Sequence, residues 1–167
     1  MSTLFTLKVP REVVNDMVAH ARAELPNECC GLLAGRLPEA DSSVPSPLVG
    51  EGQGGGSPTK TDTALVVRRY PLTNQAGSPI EYLSDPNSLF TAHRDMRRLG
   101  LDVLAIYHSH PTSEPIPSRK DIERNNYGAE VLHLIISLSG AEPRIRGWRL
   151  SPDAYAETDW TVIEPSR

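Results

Sequence analysis

Apolar and polar positions along this chain follow two rhythms, one of strands and one of helices. Leu4 to Val9 reads as a short first strand. Pro10 suits a first helical turn, and Val13, Val14, Met17, Val18 and Ala21 recur at helical spacing until about Glu24, ahead of Pro26. His20 lies beside that stripe and reads as a surface or capping residue. Cys30 to Leu37 is the second strand and about Ala64 to Leu72 the third. Asp85-Pro86 opens a second helix, marked by Leu89, Phe90, His93, Met96 and Leu99 and stopped by Gly100. Leu101 to Tyr107 is apolar enough for a buried strand, and a following helix carries Asp121. Glu130 to Ser137, Arg144 to Leu150 and about Ala154 to Val162 complete the strands. The order β-α-β-β-α-β-α-β-β-β predicts an α/β fold with a mixed sheet flanked by helices.

Two stretches break the rhythm. From Pro38 to Lys60 the composition turns to Pro, Gly and Ser, including Gly52-Gln53-Gly54-Gly55-Gly56, which predicts a mobile loop. Thr73 to Ser84, with Gly77 and Pro79, is a second loop, and Tyr82 within it is placed to line a cleft. The length of 167 residues fits one domain spanning 1–167, large enough for a core of its own.

The candidate chemistry begins at His108-Ser109-His110-Pro111. Side chains along a strand alternate faces, so an extended backbone points His108 and His110 the same way. Asp121 follows from the next helix, three residues after Ser118 and on the same helical face. Two imidazoles and a carboxylate that leave a fourth position open are the donor set of a catalytic zinc. Blander readings exist: an HxH pair can be two polar residues on an exposed rim. Ser118 and Asp121 also fit a capping box, a role compatible with a site. A further element, Pro26-Asn27-Glu28-Cys29-Cys30-Gly31, sets an acid at the entry to an apolar strand, where folding alone calls for none.

Glu28 upstream, then His108-Ser109-His110-Pro111, six residues, Ser118, two residues and Asp121, resembles the JAMM (MPN+) metallopeptidase signature. The likeness covers roughly Leu4 to Val162. It implies the family's α-β-α sandwich, of the cytidine-deaminase-like kind. It further implies one Zn2+ per chain held by His108, His110 and Asp121, Glu28 as the acid-base residue and Ser118 as a helper at the developing oxyanion. The implied reaction is hydrolysis of the amide bond after the C-terminal Gly-Gly of a ubiquitin-like or sulfur-carrier protein. A narrow groove suits such a tail, and Ser78 to Ser84 is its expected wall, pairing with the tail by strand addition. Two other readings remain beside this one: a non-catalytic MPN-type zinc-binding interaction module, and a zinc hydrolase of a small non-protein amide.

Composition narrows the rest. A net charge of −4 gives no general reason to expect nucleic acid as a partner. Zinc deaminases need a downstream PCxxC, whereas the two cysteines here, Cys29 and Cys30, are adjacent. Those thiols read as buried packing groups in a reducing, cytoplasmic setting; a metal set with His20, His93 or His133 lacks suitable spacing. No apolar leader opens the chain, and no run of about 18 apolar residues could cross a membrane. Oligomeric state is left open, a homodimer included.

Overall fold

The computed structural model describes residues 4–38 and 62–167. Its elements run β1 (Thr6–Pro10), α1 (Arg11–Ala23), β2 (Cys30–Gly35), β3 (Thr63–Leu72), α2 (Pro86–Leu99), β4 (Asp102–His110), α3 (Arg119–Glu123), β5 (Leu132–Ser137), β6 (Arg144–Ser151), β7 (Ala154–Glu157) and β8 (Trp160–Ile163). The strands form a mixed sheet in the order β7-β6-β5-β4-β2-β3-β1-β8. β4 runs parallel to β5, and β1 parallel to both β3 and β8. The pairs β2–β3, β2–β4, β5–β6 and β6–β7 are antiparallel. The expected α/β architecture is therefore observed, a mixed sheet with helices on both faces.

Helix α1 lays Val13, Val14, Met17 and Ala21 on one face of the sheet. There they meet Leu7, Val9, Leu33, Val66, Leu104, Leu132 and Leu134 in the larger core. Helix α2 covers the other face with Ala92 and Met96 against Cys30, Leu32, Leu72 and Ile106. Strands covered on both faces need apolar residues at every position, which is why β2 and β5 are buried throughout. Helix α2 is bounded as its sequence predicts. The Asp85 carboxylate accepts from the Ser88 N–H at 2.9 Å, Pro86 takes the first helical position, and Gly100 ends the helix at a φ of 66°.

Several expectations need correction. The chain from Ala154 to Val162 is two strands, because Thr158 turns away and donates its N–H to the Gly147 carbonyl at 2.9 Å. β8 then pairs with β1, and the indole of Trp160 lies where a Cβ on Gly147 would come within 2.9 Å of it, so the sheet curls back on itself. Phe90 is 66% exposed; it sits one position off the stripe of Leu89, His93 and Met96 and so faces outwards. His20 is no surface residue: its Nδ1 lies 2.8 Å from the Tyr107 hydroxyl. Pro10 precedes α1 rather than opening it, β2 stops at Gly35 rather than Leu37, and β5 starts at Leu132 rather than Glu130. β4 continues past Tyr107 to His110. The expected loop 38–60 lies, Pro38 apart, outside the described residues. Among the described residues, no helix is long and apolar enough to cross a membrane.

One glycine is required by a neighbour. A Cβ at Gly31 would overlap the ring of Tyr107, and that ring cannot yield. It is fully buried, and its hydroxyl is held by Arg69 Nη1 at 3.0 Å as well as by His20. Gly31→Ala should therefore destabilise the fold by about 1–3 kcal/mol, the usual scale for overpacking. Urea denaturation measures it; a change below about 0.5 kcal/mol, the scale of a surface substitution, would show that the ring can move.

Candidate metal centre and active site

β4 stays extended through His110, so His108 and His110 project from the same sheet face, with their Nε2 atoms 3.2 Å apart. Asp121 reaches them from the first turn of α3. Its position is set by a capping box: the Ser118 N–H donates to Asp121 Oδ2 at 2.7 Å, and the Asp121 N–H donates to Ser118 Oγ at 3.2 Å. The same Oδ2 lies 3.2 Å from His108 Nε2 and 3.6 Å from His110 Nε2. All three side chains are buried. The capping role of Ser118 and its nearness to the site thus coexist.

The tautomer of His110 is fixed. Its Nδ1 lies 2.7 Å from the Glu114 carbonyl, which can only accept, so Nδ1 carries the proton and Nε2 presents a lone pair to the cluster. The segment supplying that carbonyl is itself pinned. Trp148 Nε1 donates to the Pro115 carbonyl at 2.8 Å, and Ser137 Oγ donates to the Ser113 carbonyl at 2.6 Å. Burial alone would disfavour charge on Asp121 and His110. The imidazoles and the Ser118 N–H nevertheless hold Asp121 well below the usual carboxylate range. For His110, the nearby Asp121 carboxylate and the hydrogen bond to the Glu114 carbonyl outweigh burial and raise its pKa.

The three donor atoms suit a zinc ion. Ligand atoms about 2.0–2.1 Å from a tetrahedral ion stand about 3.3–3.4 Å from one another. The observed separations, 3.2, 3.2 and 3.6 Å, bracket that value. Among the described residues, this is also the group of three His, Cys, Asp or Glu side chains gathered tightly enough for a metal ion. Cys29 and Cys30 stand apart from it as buried, free thiols, pushed by burial up to about 11 and 12. His20 and His93 lie elsewhere, against Tyr107 and Tyr127, while His133 borders the same cavity as Asp121 but stands against Asn125, outside the triad.

Glu28 joins the cluster through the sheet register. Cys30 stands opposite His108 in the antiparallel β2–β4 pair. The pairing continues outwards: the Cys29 N–H donates to Ser109 Oγ at 2.8 Å, and the Ser109 N–H donates to the Cys29 carbonyl at 3.1 Å. One residue further, Glu28 comes beside His110 on the histidine face. It is 4% exposed, and its Oε2 has no hydrogen-bond partner among the described residues. Burial raises the Glu28 carboxyl to about 7, against the pull of His108 and His110. Over the site, the Tyr82 ring stands 4.7 Å from that of His108, at the end of a cavity of about 270 Å³ that reaches Asp121 and His133. Tyr82 thus lines the cleft, as its loop position predicts. Ser109 supports the site by holding Cys29, a role the sequence pattern alone does not single out although it is the polar residue of opposite parity between two same-facing histidines in an apolar strand.

The family described as prokaryotic homologs of the JAB domain matches residues 10–151. The chain belongs to that family. This JAB chain is 30% identical over 162 residues to a CysO-cysteine peptidase of Mycobacterium tuberculosis, covering 97% of this chain and 94% of the relative. It is 28% identical over 139 residues to a desampylase of Haloferax volcanii, covering 80% of this chain and 82% of that one. A solution structure of a protein from Desulfitobacterium hafniense matches with a TM-score of 0.72 and 31% identity, covering 97% of this chain and 94% of the other. The JAB chain is accordingly a hydrolase of the JAMM peptidase type.

His133, on the same sheet face one strand over from Ile106, gives a pH prediction. Desolvation pushes its pKa down to about 4, below the roughly 6.5 of an unfolded chain. A depressed histidine costs the fold nothing above pH 6.5 and destabilises it as pH falls from 6.5 towards 4, because only the unfolded state takes up the proton. Between pH 7 and 4.5, metal-free wild type should lose roughly 2 kcal/mol more stability than His133→Gln. Equal losses in urea titrations would mean that His133 takes a proton in the folded state as readily as in the unfolded one.

Proposed function

We propose that the protein is a zinc-dependent isopeptidase or peptidase that hydrolyses the amide bond after the C-terminal Gly-Gly of a ubiquitin-like or sulfur-carrier protein. The observation that carries the mechanism is the convergence of Glu28, from the entry to β2, on the His108–His110–Asp121 cluster. A metal-holding interaction module has no use for a buried carboxylate with an unpartnered oxygen beside its ligands. The names of the relatives, a CysO-cysteine peptidase and a desampylase, support the substrate class.

In this reading His108, His110 and Asp121 hold one zinc ion. When bound, zinc would polarise the scissile carbonyl and lower the pKa of water towards about 7. Glu28 accepts the proton of the attacking water and delivers it to the leaving nitrogen, a transfer that its place beside the His108–His110–Asp121 cluster allows. The Ser118 hydroxyl uses a lone pair for the Asp121 N–H and keeps its proton to donate to the oxygen that gains charge. Ser78 to Ser84 forms the wall along which an extended Gly-Gly tail pairs. That segment carries Tyr82 over His108 and exposes Ile80 and Leu83 at 70% and 49%.

Glu28→Gln keeps the shape of the side chain and removes its basicity. It should bind one zinc per chain like wild type while losing roughly 10²-fold or more in kcat on a ubiquitin-like protein with an amide-linked residue after its Gly-Gly tail. Near-equal turnover would refute the role, and lost zinc would make Glu28 a ligand instead. His110→Ala should bring zinc content, read by elemental analysis, close to zero; full occupancy would refute the ligand set.

A further inference from the structure

We propose that Asn74, in the loop across the cleft, is the positioning residue that ties the acid Glu28 to the wall of the tail groove, so that the two move as one unit. This inference rests on Glu28 being the proton acceptor.

Glu28 is poorly held by its own carboxylate. One oxygen has no hydrogen-bond partner among the described residues, so the side chain is placed chiefly by its backbone. Both polar groups of that backbone bond to the 74–84 loop. The Glu28 N–H donates to the Ser78 carbonyl at 2.8 Å, and the Glu28 carbonyl accepts from Asn74 Nδ2 at 3.0 Å.

The Asn74 amide is also fully used. Nδ2 donates a second time, to the Glu81 carbonyl at 3.1 Å, while Oδ1 accepts from the Ala76 N–H at 3.0 Å and the Leu83 N–H at 2.9 Å. Two backbone donors fix which end of the amide is oxygen, so its orientation is not in doubt. The backbone of Asn74 pairs with Ser84, and the Gln75 N–H donates to the Leu83 carbonyl at 2.7 Å. One side chain therefore closes the loop on itself through Leu83 and Glu81, and joins the closed loop to Glu28. Tyr82, over His108, lies between the two residues so held.

The consequence is a specific division of labour within one amide. Its oxygen shapes the groove wall, and its nitrogen couples that wall to the acid. Docking of an extended tail on 78–84 then sets the register of the scissile bond and of Glu28 together. A displacement of about 1 Å at a catalytic group costs on the order of 10²-fold in rate.

Asn74→Asp separates the halves, because a carboxylate still accepts from Ala76 and Leu83 but cannot donate to Glu28 or Glu81. The test compares wild type, Asn74→Asp and Asn74→Ala, each also in the Glu28→Gln background, on a ubiquitin-like protein bearing an amide-linked residue after Gly-Gly. Amide hydrogen exchange of the metal-free proteins gives a second readout. Asn74→Asp should lower kcat roughly 10–100-fold in the wild-type background. It should lower kcat no more than about threefold beside Glu28→Gln, because the group it positions is already disabled. Exchange should rise at residues 28–30 as well as at 74–84. A kcat for Asn74→Asp within twofold of wild type overturns the inference, as does an undiminished loss in the Glu28→Gln background or exchange that rises in 74–84 alone. Should wild type cleave no Gly-Gly adduct, the proposed function falls, and the exchange arm alone decides the Asn74 link.

Discussion

The antiparallel register of β2 against β4, which sets Cys30 opposite His108, is the constraint on which the site depends. Residues 28 and 108–110 are about 80 positions apart in the chain, and only this pairing brings the acid beside the histidines. A slip of one residue would turn the whole set to the opposite face, since side-chain direction has a period of two. The register is locked at the site itself, where Ser109 accepts from the Cys29 N–H and donates its own N–H to the Cys29 carbonyl. The residue between the two histidines thus points away from the metal cluster and secures the strand that carries Glu28. Farther along, Gly31 packs under Tyr107 and keeps the two strands close.

A cluster of this kind opposes folding. Glu28 Oε2, His108 Nδ1 and His133 Nδ1 are buried without hydrogen-bond partners among the described residues, and such a group costs on the order of 1–3 kcal/mol. Asp121, His108 and His110 are held with their polar atoms 3.2–3.6 Å apart in a largely apolar sheet. The rest of the molecule offsets this with cores on both faces of the sheet and with hydrogen bonds that pin the connecting segments. Trp148 and Ser137 hold the 111–117 loop, and Asn74 holds the loop across the cleft. Unpartnered polar atoms are sparse in folded proteins, so their concentration beside a metal-competent triad is itself a sign of a working site.

Local periodicity explains what could be read in the sequence. The His-Ser-His alternation and the three-residue step from Ser118 to Asp121 are consequences of strand and helix geometry within a few residues, and both stand as read. Asp85, Pro86 and Gly100 likewise bound α2 because caps act locally. Features that depend on distant partners were not legible. The break at Thr158 that sends β8 to pair with β1 is set by a carbonyl on β6. The burial of His20 depends on Tyr107, far along the chain. Asn74 carries no mark in the sequence that sets it apart within its loop, because its partners at 28, 76, 81 and 83 converge only once the fold exists. Phe90 shows the opposite failure, an apolar residue near a helical stripe whose angular position nonetheless faces it outwards.

In the proposed function His108, His110 and Asp121 would hold zinc, and the protein, with Glu28 as proton acceptor, would hydrolyse the amide directly after a terminal Gly-Gly. Intact-mass analysis of a ubiquitin-like carrier bearing one amide-linked amino acid tests it most directly, with the enzyme as purified, after chelation, and after zinc is restored. The carrier should lose the mass of that one residue and end in Gly-Gly. Chelation should abolish the change and added zinc restore it. Cleavage at another bond, or cleavage that survives removal of the metal, would contradict it.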